Sequence, residues 1–542
     1  MSESAKLEKA NKIYYDALAE SIVGKKDEKK IYRTYEDYNF EQLLCYAGLD
    51  CIATSELLAN MMPEIARTLP LRDTDGGIVH APAIIDVAEK WEMPAFEFLL
   101  DMEITGIKYD CDRNRKISLQ MVEEIRGLEE LIFEQIGVKI NLDSGTEVAK
   151  LLYDTLGFEP PFKTKSGDPA TDGTALLTLA GLDPLAQKYV APDPEKQFLA
   201  YMAKRRDINS VHNTFIRSYI EDFVKRDGRV HPSYNMIGTS GFRISGDNPN
   251  LLQLPRAKHG YNVRECFTVE DGYVFITLDF SSAEVKALAN LCKDPNMMSA
   301  IERGLDFHSF SASLMLGIPY EEYVAILADK THPEFKRLKL YRQIAKVLTF
   351  SLIYGSSVGG IAMQLNMTKE EAQNLMDIYF KAYPGVKRFI EESHQLAMLN
   401  KIIVTPFGQR KQQYGANQAF KSTAAYNASL RNSSNIRVQS PTSTMGLMTF
   451  TALDQEIRKF GARSICTVYD SIEIECPVEH MAKCIEAGYY YMNDWPVEAF
   501  DWLELPVGCD CEIGPNWGLL EGVHRGTTQL ECMEIMGKLW TS

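Results

Sequence analysis

The sequence has no apolar run approaching the roughly 18 residues of a membrane-spanning helix, so no membrane span is expected. Its first residues, MSESAKLEKANK, lack the apolar stretch of a secretory leader. The 11 cysteines are odd in number, scattered, and form no Cys-x-x-Cys pair. Cys509 and Cys511 stand two apart, which suits a strand better than a metal site. Reduced thiols in a cytoplasmic protein are the expectation. Acid is missing locally. The net charge of −16 argues at first against a polyanionic partner. Yet no Asp or Glu occurs from Phe335 to Lys369, where Lys336, Arg337, Lys339, Arg342 and Lys346 fall. None occurs from Ser393 to Leu453, which holds Lys401, Arg410, Lys411, Lys421, Arg431 and Arg437. That distribution describes a positive channel inside an acidic shell.

What is present is ordinary globular material, 45% hydrophobic and 24% charged. A chain of 542 residues is too long for one core, so several subdomains are expected. Residues 1–40 are charged and aperiodic, with KKDEKK at Lys25–Lys30. A helical pattern starts near Phe40 and places Tyr46, Asp50 and Thr54 four residues apart. Phe96–Asp110 reads as a helix ending at Gly106, followed by a strand. Lys116–Val138 and Gln197–Tyr219 are long helices bracketing a small polar loop, Phe162–Thr174. Ser144 with Glu147 three residues later is a capping-box signal. Arg229–Asn235 alternates like a strand.

The chemistry concentrates in three stretches. In RQIAKVLTFSLIYG, Arg342, Lys346, Phe350 and Tyr354 recur every four residues. Each step drifts about 40° around a helix, so the four share a face roughly 120° wide. Two cations there suit phosphates, and the aromatics suit a flat ring. In YVFITLDFSSAEVKALANL, an apolar strand run ends at Asp279 and a helix starts near Ser281. A carboxylate at a strand end, with the Phe280 carbonyl beside it, suits Mg²⁺. In SICTVYDSIEIEC, alternation on both sides puts Asp470 at a hairpin turn.

These stretches resemble the bacterial DNA polymerase I family (family A) over about Met102–Gly518. Arg342–Gly355 matches its motif B, Arg-x3-Lys-x3-Phe-x3-Tyr-Gly, at every defining position. DFSSAE matches motif A, with Ser282 and Lys286 departing from the usual Gln and Arg. Motif C is His-Asp-Glu in the family. Asp470 is kept, Tyr469 replaces the His and Ser471 the Glu, so the Glu is dispensable or Glu473 or Glu475 compensates. Thr239–Pro255 is similar to the primer-contact loop with Arg243, although Phe242 and Leu252 depart from it. Leu305–Gly317 resembles the segment whose His, here His308, meets the nucleotide phosphates. Ile402–Tyr414 and Ser429–Thr444 resemble further family segments, the latter with Arg431, Asn435 and Gln439.

The resemblance implies an α+β right-hand polymerase: a palm with an antiparallel sheet, a helical thumb and fingers, and an N-terminal exonuclease-like remnant. The expected division is 1–85 remnant, 86–112 palm, 113–230 thumb, 231–285 palm, 286–434 fingers, and 435–542 palm and tail. It implies template-directed DNA synthesis from a primer with dNTPs by two-metal chemistry, phage-type or bacterial, in a bacterial or infected-host cytoplasm. Asp279 and Asp470 are the expected catalytic pair and, with the Phe280 carbonyl, the ligands of two Mg²⁺. Glu284, His308, Arg342, Lys346, Phe350 and Tyr354 are expected at the nucleotide, and Arg243, Arg431, Asn435, Gln439 and Tyr469 at the DNA. Glu284 would crowd the sugar 2′ position. Tyr46, Asp50 and Thr54 resemble the last motif of a proofreading exonuclease. No Asp-x-Glu precedes Asp50, and the sole nearby match, Asp101-Met-Glu103, lies downstream. Proofreading is therefore expected to be absent from this chain, with a separate exonuclease polypeptide docking on residues 1–85 or that function lost. A single-subunit RNA polymerase and a catalytically impaired nucleic-acid-binding subunit are the alternatives. Glu284 and Phe350 oppose the first, and retention of both aspartates opposes the second.

Overall fold

Strict alternation over three strands builds the centre of the molecule. β4 (Tyr273–Phe280) sends Val274, Ile276 and Leu278 to one face, and Phe275, Thr277 and Asp279 to the other. β6 (Ser471–Pro477) sends Ile472, Ile474 and Cys476 to the first face, and Ser471, Glu473 and Glu475 to the second. β7 (Cys509–Asn516) does the same with Cys511 and Ile513 against Asp510 and Glu512. The antiparallel register pairs Ser471 with Asp279 and Asp279 with Asp510, then Glu473 with Thr277 and Thr277 with Glu512. One face is therefore apolar and the other carries rows of acids and hydroxyls. A one-residue slip would exchange the faces, so burial fixes the register.

This is a computed structural model, and it describes residues 40–164, 166–184, 188–416 and 423–541, with side chains described from residue 51 onward. The eight-stranded sheet also contains β1 (Ile107–Tyr109), β2 (Arg229–Val230), β3 (Phe267–Thr268), β5 (Arg463–Val468) and β8 (Leu519–Val523). Its order is β5-β6-β4-β7-β3-β1-β2, with β8 paired to β7. Antiparallel pairing throughout the sheet, with helices elsewhere in the chain, is the α+β class read from the sequence.

The apolar face is covered by helices. α2 (Met93–Thr105) contributes Phe98 and Met102, and the 34-residue α9 (Ala424–Ile457) contributes Met445, Met448 and Phe450. The tail, unassigned from sequence, is part of this core. β8 extends the sheet and α10 (Gln529–Trp540) inserts Cys532 and Met536. Each such side chain contributes about 1.5–3 kcal/mol by leaving water.

Two helical groups flank the sheet. In the first, α3 (Cys111–Ile136) starts at Asp110, whose side chain accepts from the backbone N–H of Asp112 and Arg113. It pairs with α4 (Gln197–Val211), and buried Arg205 ties Glu129 to Asp143. The sequence pattern Gln197–Tyr219 continues past α4 as π-turns, His212–Arg217 and Tyr219–Phe223. The expected capping box forms by half. Ser144 accepts from the Glu147 N–H at 3.3 Å, while Glu147 reaches the Asn141 N–H instead.

The second group comprises α5 (Ala283–Cys292), α6 (Phe307–Leu316), α7 (Phe335–Ile353) and α8 (Pro384–Asn400). They share a core of Leu288, Phe310, Leu348, Leu352 and Phe389. The start of α5 falls at Ala283 rather than Ser281, because Ser282 takes a left-handed φ of 57° after the strand.

The chain divides into two compact units, Met1–Glu89 and Lys90–Ser542, and all of the above lies in the second. The first contains α1 (Phe40–Ile65) and a hairpin of Leu69–Arg72 with Ile78–Ala81, closed by Asp73 accepting from the Asp75 and Gly77 N–H groups. Residues 1–39 and the side chains of Tyr46 and Asp50 lie outside the described residues. Among the described residues, no helix is long and apolar enough to cross a membrane.

Candidate active site

The edge of the polar sheet face brings Asp279 and Asp470 together. β5 and β6 form a hairpin whose turn is Tyr469-Asp470, with Tyr469 at a left-handed φ of 59°. The Phe280 N–H donates to the Asp470 carbonyl at 3.0 Å, stitching the turn to the end of β4. Burial, then the neighbouring Asp470 charge, pushes the Asp279 carboxyl up to about 7, and Arg256 opposes the shift. Asp470, at a solvent-facing turn but flanked by protein, is also raised by partial burial. Asp279 Oδ1 is buried without a hydrogen-bond partner. An orphaned oxygen and two mutually repelling carboxylates fit a divalent cation. Among the described residues no cluster of three or more His, Cys, Asp or Glu forms a complete metal cage. Two carboxylates are a ligand set that a hard divalent cation takes when water and substrate oxygens fill the rest of its shell.

Next to this pair, buried Glu284 is held from two sides. Arg243 forms an ion pair with it, and the Tyr354 hydroxyl donates to its Oε2 at 2.8 Å. With its amide oxygen turned toward Arg243, Gln439 accepts from Nε and Nη1 at 3.1 and 2.8 Å. The Arg243 guanidinium also stands 5.4 Å from the centre of the Tyr469 ring. Arg243 thus joins residues from motif A, α9 and the Asp470 turn. Gly241 permits this, because a Cβ there would collide with Gln439.

The phosphate-binding candidates gather on α6 and α7. Arg342, Lys346 and Phe350 are half-buried or exposed, whereas Ile344, Leu348 and Leu352 face the core. Arg342 grips Asp306 through Nε at 3.0 Å and Nη2 at 2.9 Å, and touches Ser309 Oγ at 3.2 Å. The His308 ring lies 5.8 Å from Phe350, centre to centre. Burial lowers His308 to about 4, with Arg342 and Lys346 adding to the shift and Asp306 opposing it. Its Nδ1 is buried and unpartnered. Tyr354 caps α7, and at Gly355 (φ 68°) a Cβ would stand 2.8 Å from Arg431. Arg431 is exposed on α9. Asn435, one turn later, has a buried Oδ1 without a partner.

The cation-rich windows divide in two. Lys346 and Arg431 are exposed. Lys401 instead binds the Ala416 carbonyl at 3.0 Å, and Arg437 is sequestered over the Phe389 ring with Nη1 on Ser393 Oγ. Lys421 lies outside the described residues. Asp306, Arg256 and Asp510 were not singled out from sequence. Asp306 had a signal, since an Asp directly before Phe307-His308 is a helix N-cap pattern. Asp510 had one in the alternation of CDCEI. The influence of Arg256 on both aspartates arises from loop geometry, which leaves no sequence period.

Residues 111–519 match the family described as DNA polymerase family A. The chain is 28% identical over 519 residues to DNA polymerase I of Chloroflexus aurantiacus, covering 94% of this chain and 49% of that protein. It is 28% identical over 434 residues to thermostable DNA polymerase I of Thermus aquaticus, covering 79% of this chain and 47% of that protein. It thus spans about half the length of the curated relatives it matches. The fold resembles the POL domain of Pol1 from M. smegmatis, solved in complex with DNA primer-template and dNTP. The TM-score is 0.67 at 25% identity, over 79% of this chain and 70% of that one. The curled antiparallel sheet flanked by helical groups is the right-hand polymerase fold. With the family match extending over most of the sequence, the chain belongs to DNA polymerase family A.

Proposed function

We propose that this chain is a template-directed DNA polymerase that extends a primer 3′-hydroxyl with dNTPs. The observation that carries the reading is the Asp279–Asp470 pair at the sheet edge, with an orphaned carboxylate oxygen, next to a glutamate bonded to the end of the Arg342–Tyr354 stretch. The subdivision proposed with it is palm 86–112, 231–285 and 435–542, thumb 113–230, and fingers 286–434.

Asp279, Asp470 and the Phe280 carbonyl would hold two Mg²⁺. Bound there, the ions supply a lowered pKa for the attacking hydroxyl and charge neutralisation at the leaving pyrophosphate. The protein's own share is positioning and electrostatics. Arg342 and Lys346 receive the triphosphate as fixed cations, and Arg342 exchanges its Asp306 contact for phosphate oxygens of the same geometry. His308 is neutral at physiological pH, so it serves as a hydrogen-bonding partner rather than a third cation. Phe350 packs by the sugar, and Tyr354 stands where the templating base stacks. Glu284, locked by Arg243 and Tyr354, forms a rigid wall at the sugar 2′ position. Arg243 and Gln439 face minor-groove acceptors at the primer end beside Tyr469, while Arg431 and Asn435 line the template.

The test is primer extension by the wild-type chain and by Asp470→Asn, with dNTPs or rNTPs. Extension with dNTPs that is lost in the variant is the expected result. Equal activity of the two proteins, or preferential rNTP use, would overturn the reading.

A further inference from the structure

Behind Asp279 and Asp470 lies a carboxylate that the described contacts leave incompletely used. Glu473 and Glu475 occupy successive positions on the polar side of β6, and both are fully buried. Glu475 is committed. It accepts from Arg229 Nη2 at 2.8 Å, from Arg463 Nη2 at 2.9 Å, and from the Glu270 N–H at 2.7 Å. Glu473 accepts only the Ser471 hydroxyl, at 2.9 Å on Oε1, and its Oε2 has no partner. Across the strand pair from Glu473, the Thr277 hydroxyl is buried and also unpartnered.

The register says where this carboxylate acts. Ser471 stands directly opposite Asp279, and Glu473 one row behind on the same face. Diagonal neighbours on one face of a sheet remain within interaction range. The groups around Glu473 are Ser471 on its own strand, Thr277 on β4, Cys466 opposite on β5 and Arg264 nearby, with Asp279 and Asp470 ahead of it. Arg264 is the cation among them, and its guanidinium is also directed at the Trp517 ring and the Leu254 carbonyl. A glutamine would accept the Ser471 hydroxyl equally well. A buried carboxylate with a spare oxygen needs a reason that a neutral acceptor would not meet.

We propose that Glu473 is a positioning residue of the metal site, acting through the Ser471 hydroxyl and across one row of the sheet to strengthen the hold of Asp279 and Asp470 on divalent cations. The Ser471 Oγ also lies 3.3 Å from the Val468 carbonyl, a second acceptor for its single proton, so the hydroxyl stands between Glu473 and the turn that presents Asp470. Burial pushes the Glu473 carboxyl up to about 8, with Asp279 and Asp470 adding to the shift and Ser471 and Arg264 opposing it. A divalent cation between the two aspartates offsets their repulsion and favours the ionised form of Glu473, whose charge then acts on the cation through a low-dielectric interior. The inference rests on the reading of Asp279 and Asp470 as a divalent-metal pair.

The test is Mn²⁺ binding to the full chain without nucleic acid, followed by electron paramagnetic resonance, beside the Mg²⁺ dependence of primer extension. Glu473→Gln is expected to weaken Mn²⁺ binding about tenfold, the lower end for groups that support metal ligands. The Mg²⁺ concentration for half-maximal extension should rise by the same factor. Ser471→Ala removes the link and its hydrogen bond to Glu473 while keeping the buried carboxylate, and should weaken binding by a smaller factor. Ser471→Glu placed in the Glu473→Gln background puts a carboxylate at the turn and should restore binding. Wild-type Mn²⁺ affinity in a folded Glu473→Gln, with binding lost in Asp470→Asn, would overturn the proposal. So would a Ser471→Ala variant that binds as wild type. If the wild type binds Mn²⁺ through Asp470, Glu473→Gln weakens it, and no primer is extended, the polymerase reading falls while this inference stands.

Discussion

Arg342 is held by Asp306, and that contact sets a measurable competition. The guanidinium fork meets both Asp306 oxygens, at 3.0 and 2.9 Å. A triphosphate would need the same fork. The side chains are 39% and 43% exposed, so solvent screening limits the pair to about 1 kcal/mol, the upper end for surface ion pairs. Asp306→Asn removes the charge but preserves the helix cap, since asparagine also accepts from the Ser309 N–H. Freeing Arg342 should therefore lower the dNTP KM in single-nucleotide primer extension by up to about fivefold, the equivalent of that energy. The effect should vanish in an Arg342→Ala background and shrink at high salt. Although partial burial raises the Asp306 carboxyl, Arg342 and Ser309 more than offset this and hold it down at about 2. A depressed carboxylate contributes above its unfolded value of 3.8 and is lost as pH falls through 2. The KM ratio should therefore be flat through neutral pH. A KM that rises in Asp306→Asn would refute the competition and show that Asp306 pre-orients Arg342 for the phosphates.

Three further outcomes follow from burial. His308 is held near 4 in the folded chain against 6.5 unfolded, so the unfolded state takes up the proton first and stability is lost as pH falls from 6.5 toward 4. His308→Gln should flatten that acid limb of a denaturation curve by up to about 3 kcal/mol, and an unchanged limb would contradict the assignment. Glu475→Gln leaves Arg229 and Arg463 without their buried counter-charge and should destabilise the chain by about 3 kcal/mol in urea melts. A midpoint within error of wild type would show that water replaces the carboxylate. Gly355→Ala forces a Cβ against Arg431 at a left-handed φ, which should cost about 1–3 kcal/mol and depress primer extension more than it depresses stability. Equal losses in both would mean that the close approach of Gly355 to Arg431 has no part in the reaction.

Periodicity carried the legible part of the fold. β6 and β7 alternate between apolar and acidic side chains, β4 reads as an apolar run because both of its faces are buried, and α7 shows its cationic face because the opposite face packs against α5 and α6. Asp279 and Asp470 were legible for related reasons, since Asp279 ends an apolar run and Asp470 interrupts an alternating one. Partnership was not legible. The acid-free windows alone do not distinguish Lys346, which faces solvent, from Arg437, which is sequestered on Phe389. Both sit in acid-free windows, and the outcome depends on which helix packs beside each. The clasp of Arg243, Glu284, Tyr354, Gln439 and Tyr469 joins five positions far apart in sequence, so no local pattern encodes it.

Tyr469 shows what such long-range contacts add to a local departure from the family pattern. Read in sequence, it is a larger side chain than the expected His at the primer end. In the structure it occupies a left-handed turn, 39% exposed, with its ring toward the Arg243 guanidinium. Arg243 is itself charge-paired to Glu284, and Glu284 accepts a hydrogen bond from Tyr354. A change at Tyr469 therefore acts on the residue that grips Glu284, the glutamate proposed to stand at the sugar, as well as on the turn that carries Asp470. The altered motif C thus reaches Glu284 through one guanidinium, while its second alteration, Ser471, leads backward into the sheet to Glu473. The two departures flank Asp470 and serve different ends of the same site.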